Sequence, residues 1–347
     1  MRRQSEQLSV AAQGLKFTSF AVGGGTPLIL DEGQLEELFC LAELFGVHPS
    51  RVFTSVETSP EYTQKSVLRQ LRARGVERLS MGVQSFNETE LKKLKRRPGL
   101  GTVVGALENI VEAGFPQFNL DLIYGIEGQT VESFMRSLNT ALTYRPNELF
   151  IYPLYVRPGT RIDVRSTDDI GYAIYKSARE LLVGQGFVQT SMRRFVRRET
   201  TETEFSCGDE VMLSCGAGGR SYLGNLHYAT PYAVRQQAIA DEIDHYIRTT
   251  DFMTAANGFL LSTEEMQIRF IIKNLMYHRG VDLVEYEKRF GEKPDRNLFR
   301  EFTDRGWIEE TGRIVRLTEE GMAYSDYIGQ AFISPVVRKL MSEYVYP

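Results

Sequence analysis

Five short apolar runs, each followed by a helical pattern, constrain this chain more than any other feature. The runs are Phe17–Val22, Val52–Glu57, Arg78–Gly82, Gln117–Leu122 and Leu149–Tyr152. Between them the apolar spacing predicts helices near Glu32–Phe45, Thr63–Arg74, Glu88–Lys95, Val103–Ala113 and Val131–Tyr144. Regular alternation of this kind implies right-handed βαβ units and a parallel sheet with helices packed against it. Gly75 and Gly114 are helix stops that run straight into the next strand. Residues 1–12 carry a further helical pattern ahead of the first run.

The strand ends carry the chemistry. FTSFAVGGGTP at 17–27 ends an apolar strand in three glycines, a threonine and a proline. Without Cβ atoms there, backbone amides and carbonyls can approach a polar ligand, and Pro27 then stops the strand. A tight turn with no ligand is the competing reading of such a segment. Its company favours a ligand: ETSP at 57–60, GVQSFN at 82–87 and NLDLIYGIEGQT at 119–130 each close a predicted strand. Parallel strands bring their C-terminal ends together, which is where such folds build sites.

These four segments, in this order and spacing, resemble the radical S-adenosylmethionine (SAM) proteins related to oxygen-independent coproporphyrinogen III oxidase (dehydrogenase) and the haem chaperones derived from it. The resemblance runs over essentially the whole chain. It implies an α/β fold: a partial (βα)6 radical SAM barrel over 1–165, here missing its first strand, then an α+β extension over 166–259 and a winged-helix-like domain over 260–347. It also implies SAM as cofactor, with Gly24, Gly25 and Thr26 at its amino-acid end. Glu57 is placed on an ammonium or ribose hydroxyls, Gln84 and Asp121 inside the barrel, and Arg96 on the SAM carboxylate, with Arg97 as the competing position. Independently of the resemblance, a carboxylate at 121 in an otherwise apolar strand is costly unless it meets a ligand or basic partner.

Such proteins hold a [4Fe–4S] cluster on Cys-x3-Cys-x2-Cys, ahead of the glycine-rich strand. Here no cysteine precedes residue 40. Cys40 sits in an amphipathic helix pattern, and Cys207 and Cys215 are wrongly spaced for a cluster loop. The expectation is therefore that no residue of this chain binds metal. As given, the chain should bind SAM weakly and generate no radical. A start placed at an internal methionine is favoured over a truly shortened gene. With a cluster, the resemblance implies reductive SAM cleavage, an electron donor, and hydrogen abstraction from a small-molecule substrate, with tetrapyrroles the class it suggests. A non-catalytic tetrapyrrole- or partner-binding descendant is the alternative.

Composition narrows the rest. The net charge of −4 opposes a general nucleic-acid binder. No apolar stretch is long enough to span a bilayer, and the N-terminus lacks a signal-peptide core. Three sparse cysteines fit a reducing cytoplasm. In the middle segment, a helix over Tyr172–Gly184 and one strand over Phe187–Arg194 are expected. RRFVRRE, at 193–199, reads as a solvated edge or as a contact to a carboxylate or phosphate ligand. His227 in LHYATPY is a structural hydrogen-bonder or a haem ligand. After 260, three helices and a hairpin over Trp307–Glu309 and Ile314–Leu317 complete a winged-helix pattern with no basic face.

Overall fold

The computed structural model describes residues 1–96, 99–155, 168–197, 211–231, 233 and 235–344. Helix α1 (Arg2–Ala11) leads into β1 (Ser19–Val22), α2 (Glu32–Glu43), β2 (Phe53–Thr58), α3 (Lys65–Ala73) and β3 (Arg78–Gln84). Then follow α4 (Glu88–Lys93), α5 (Leu100–Ala113), β4 (Gln117–Tyr124), α6 (Val131–Thr143) and β5 (Glu148–Pro153). The strands β1 to β5 pair in sequence order, all parallel, as the alternation implies. Capping fixes the helix entries. Asp31 and Thr130 each form a reciprocal capping box with the residue three positions on, opening α2 and α6. Gly114 ends α5 in the left-handed region, at φ 63°.

Each strand has two different faces. Val56 on β2, Leu79 and Met81 on β3, Leu120 and Leu122 on β4, and Leu149 and Ile151 on β5 are buried against the helices, with Phe39, Leu68, Leu107 and Phe134 from the helical layer. The alternate residues face the other way and are largely polar: Ser55 and Glu57, Arg78 and Ser80, Asn119 and Asp121, and Glu148. Among the described residues no strand closes the sheet. Strand β1 is one edge, and the parallel strands run in the order β1-β2-β3-β4-β5.

The far side differs from the expectation of one strand over Phe187–Arg194. After α7 (Asp168–Gly184), the chain makes a hairpin of β6 (Phe187–Gln189) and β7 (Arg194–Arg197), and β7 pairs antiparallel with β5. The reversal is local. The Ser191 hydroxyl accepts the amides of Arg193 and Arg194, turning the chain between the two strands. Residues 198–199 of RRFVRRE lie outside the described residues, as do the proposed boundary at 165/166, Arg97 and Cys207.

A second sheet follows. Strands β8 (Val211–Met212), β9 (Arg220–Leu223) and β10 (Leu226–Ala229) lead to helix α8 (Gln236–Arg248) and β11 (Gly258–Leu260). The four strands are antiparallel in the order β11-β10-β9-β8. Helix α1 docks on this unit through Gln4, whose side-chain oxygen accepts from the Gly216 amide and the Tyr246 hydroxyl. The C-terminal unit runs α9 (Thr263–Leu275), β12 (Val281–Asp282), α10 (Leu283–Phe290), α11 (Asn297–Asp304), β13 (Ile308–Thr311) and β14 (Ile314–Leu317). Its sheet order, β12-β14-β13, is that of a winged helix. Two short helices, α12 (Glu319–Ala323) and α13 (Ser325–Ala331), then return the chain to α7 through ion pairing of Arg179 with Glu319. Among the described residues no helix is long and apolar enough to cross a membrane.

Candidate functional site

The polar face of the parallel sheet has a floor and a rim. At the floor, near the strand starts, Glu148 is 2% exposed and accepts from two arginines. The Nε of Arg78 is 2.7 Å from one carboxylate oxygen, and Arg194 of β7 pairs with the other. Arg78 also donates to the Ser55 hydroxyl at 2.9 Å. Three charges in one buried network lock β3, β5 and β7 together, each with hydrogen-bond partners that offset its desolvation. Sequence reading missed this network, because its members are far apart in the chain. The only local signal was a charged residue at the inward position of an otherwise apolar strand.

One step above the floor, Asn119 donates from its amide nitrogen both to the Ser80 hydroxyl and to an Asp121 carboxylate oxygen, each at 2.7 Å. The amide oxygen of Asn119 is buried and has no hydrogen-bond partner within the protein. Asp121 is half-buried, reached by solvent from the rim yet walled in by the sheet. Burial pushes its carboxyl up to about 7; the bond from Asn119 and the charge of Arg78 oppose this, while Glu57 and Glu148 reinforce it. Beside it in register, Phe150 and Tyr152 stack on one another with ring centres 5.5 Å apart, adding an aromatic wall that sequence reading also missed.

At the rim, the glycine run meets Glu57. Gly24 and Gly25 have φ of 82° and 64°, and a Cβ on either would meet nothing within 4 Å, so their backbone lies open. The Gly24 amide donates to Glu57 at 3.2 Å. A Cβ on Gly23 would stand 2.9 Å from the Glu57 carboxylate, so only glycine leaves that carboxylate its place. Gln84 is buried with φ 73°, and its amide lies over Gly82, where a Cβ would come within 2.5 Å of the Gln84 nitrogen. Parallel pairing slips by one residue between Gly82 and Gln84, which turns Gln84 inward at the strand end. A cavity of about 250 Å³ opens here, lined among others by Thr26, Ser59, Gly82, Leu91, Lys95 and Arg96. A larger hollow of about 670 Å³, lined by Phe115, Tyr144 and Arg145, lies at the opposite end of the strands, away from these residues.

The structure thus brings Gly24, Gly25, Glu57, Gln84 and Asp121 toward the same end of the sheet, while Thr26 and Arg96 line the cavity beside Gly82 at that end. Exposed backbone amides, two carboxylates, an amide and a guanidinium suit a zwitterionic ligand with a ribose, and the Cβ-free cradle at Gly24 and Gly25 fits SAM. The two cysteines among the described residues do not come together to fit an iron–sulfur cluster. Cys40 is exposed on α2, and Cys215 is half-buried. The Cys215 thiol is pushed up by burial, partly offset by a hydrogen bond with Ser5. Among the described residues no three His, Cys, Asp or Glu side chains are grouped to hold a metal ion.

His227 of β10 lies away from the rim. Its ring packs edge-on against Tyr222 at 4.6 Å and leans on Phe259. Its Nε2 is buried without a hydrogen-bond partner. Burial, helped by the charge of Arg269, lowers its ionisation to about 4.

Comparison with known proteins agrees with this architecture. Residues 3–141 match the Radical SAM superfamily and residues 261–324 the HemN C-terminal domain. Heme chaperone HemW of Bacillus subtilis is 27% identical, over 90% of this chain and 84% of its own length. Oxygen-independent coproporphyrinogen III oxidase of Salmonella typhimurium is 35% identical, over 78% of this chain and 62% of its own length. The solved structure of coproporphyrinogen III oxidase (HemN) from Escherichia coli superposes with a TM-score of 0.78 at 22% identity, covering 95% of this chain and 81% of the other. The chain thus carries a radical SAM domain over 3–141 and a HemN C-terminal domain over 261–324, and is homologous to HemW and to oxygen-independent coproporphyrinogen III oxidase.

Proposed function

We propose that this chain binds SAM at the rim of its parallel sheet and serves a tetrapyrrole-directed function of the HemN and HemW group. The observation that supports it best is the convergence of the glycine cradle, Glu57, Gln84, Arg96 and Asp121 at one end of one face. In this reading the open backbone carbonyls of the glycine run and the carboxylate of Glu57 accept from the ammonium end. Arg96, exposed beside the cavity, pairs with the SAM carboxylate. Gln84 and Asp121 take the ribose hydroxyls, and the stacked Phe150 and Tyr152 offer an apolar wall to a conjugated ring. In the family, SAM supplies a 5′-deoxyadenosyl radical when a cluster reduces it. The cysteines of this chain do not provide for that cluster, so no radical step is assigned to these residues. Equilibrium dialysis with labelled SAM tests the reading. Binding that weakens in both Glu57→Gln and Arg96→Ala is expected; binding indifferent to both substitutions, or none in the native chain, refutes it.

A second ligand reading rests on His227. An imidazole that stays neutral at pH 7, with a buried and unpartnered Nε2, is in the state that coordinates haem iron. Haemin titration followed at the Soret band should show a His227-dependent complex; an identical spectrum in His227→Ala refutes it.

A further inference from the structure

Glu90 is 4% exposed, yet among the described residues its three hydrogen-bond partners are neutral. One carboxylate oxygen accepts from the Ser133 hydroxyl at 2.7 Å. The other accepts from the Ser85 hydroxyl and from the Gln129 amide nitrogen. A buried carboxylate is expensive unless it is well hydrogen-bonded. Here the N-terminus of α6, where Ser133 sits in the first turn, also favours the negative charge.

Each partner belongs to a different piece of the rim. Ser85 follows Gln84, and its hydroxyl accepts the Asn87 amide, which sets the turn into α4. Gln129 uses its side-chain oxygen to hold the amides of Gly125 and Ile126, closing the loop after the strand that carries Asp121. Glu90 itself sits on α4, one residue before Leu91. Leu91 lines the cavity and accepts the Arg96 amide through its carbonyl. The far end of α4 grips the same loop, since the Lys93 ammonium donates to the Glu127 carbonyl at 2.6 Å.

We propose that Glu90 is the positioning residue of this rim: its carboxylate joins the turn after Gln84, the helix leading to Arg96 and the loop after Asp121 into one unit. Glu90 touches no ligand in this scheme; it sets the spacing of three groups that do. The proposal rests on the reading of the rim as the SAM site, but its structural core can be read without ligand.

The chemistry of the network supplies the test. Glutamine can replace Glu90 with all three contacts kept. Its oxygen would accept from Ser85 and Gln129, and its NH2 would donate to Ser133, whose hydroxyl can turn fully to the Thr130 carbonyl 3.1 Å away. Methionine fills similar space with no acceptor. In the full chain, Glu90→Met should speed hydrogen exchange in peptides covering 84–96 and 123–130 about tenfold or more. Exchange in the winged-helix unit should not change, and SAM affinity should fall about tenfold. Glu90→Gln should restore both. Should Glu90→Met fail to fold, Gln129→Leu removes the Glu90 contact together with the bonds of Gln129 to Gly125 and Ile126, and should loosen 123–130 while 84–96 keeps its native exchange. Native exchange at the rim in Glu90→Met, equal damage from Gln and Met, or native exchange at 123–130 in Gln129→Leu would overturn the proposal. Absence of SAM binding by the native chain would instead sink the functional reading, while the exchange pattern still decides the role of Glu90.

Discussion

Asp121 makes stability fall with rising pH, and removing its charge should reverse that. Its carboxyl ionises near 3.8 when exposed and at about 7 in the fold. Between those values the native state keeps a proton that the unfolded chain has released, so stability drops as pH rises through this window and levels off above 7. The full difference corresponds to ~4 kcal/mol. Solvent reaching the half-buried carboxylate from the rim reduces that, and ~2–4 kcal/mol is expected. Asp121→Asn keeps an oxygen to accept from Asn119 and never ionises. Urea denaturation of both proteins from pH 4 to 8 should show nearly equal stability at pH 4, then a growing advantage for the variant that saturates between pH 7 and 8. A difference that stays constant from pH 5 to 8 would show that Asp121 is ionised throughout, and the burial argument would fail. Under the proposed function the same group gives a second signal. Ligand hydroxyls prefer the carboxylate, so SAM binding at pH 6.5 should release a proton, seen as a buffer-dependent heat in calorimetry.

Three further outcomes follow from the same geometry. Glu148→Ala leaves Arg78 and Arg194 buried without their shared carboxylate and should cost about 3–5 kcal/mol in chemical denaturation; a cost below 1 kcal/mol would mean that water reaches the floor. Gly23→Ala should displace the Glu57 carboxylate and abolish measurable SAM binding in calorimetry with little loss of melting temperature, whereas native affinity would place the ligand elsewhere. Anaerobic reconstitution of this 347-residue chain with iron and sulfide should yield no stable cubane cluster by iron assay and electron paramagnetic resonance; a stoichiometric cluster would show that its three cysteines meet in a way their positions do not suggest.

The parallel sheet was legible because its strands are buried on the helical side and its helices carry local stop and cap signals. Gly75, Gly114, Asp31 and Thr130 act within a few residues of where they stand, and the expected strands match β1 to β5 to within two residues at nearly every end. The rim was legible for a related reason: Gly24, Glu57 and Gln84 each lie near or just past the end of a strand, Asp121 lies three residues before the end of β4, and parallel order alone stacks those ends. Long-range partners were not legible. Nothing near Glu148 in the chain announces Arg78 or Arg194, and Glu90 looks like an ordinary solvated helix acid until Ser85, Gln129 and Ser133 surround it. The β6–β7 hairpin was hidden because its turn is a serine hydroxyl on two amides, without the glycine or asparagine that usually marks one. The second sheet is absent from the sequence reading, although Gly224, at φ 65° between β9 and β10, marks a hairpin there.

The floor network also sets an order of assembly during synthesis. Arg78 emerges from the ribosome first, Glu148 seventy residues later, and Arg194 only after a further forty-six. Until β7 appears, a nascent sheet of five strands holds Glu148 with one arginine and an open flank on β5. The second arginine arrives on the strand that covers that flank, so the second ion pair of Glu148 and edge protection are completed in the same step. A ribosome that pauses between β5 and β7 therefore carries an uncovered, adhesive sheet edge, the interval in which this chain has most need of a holding chaperone.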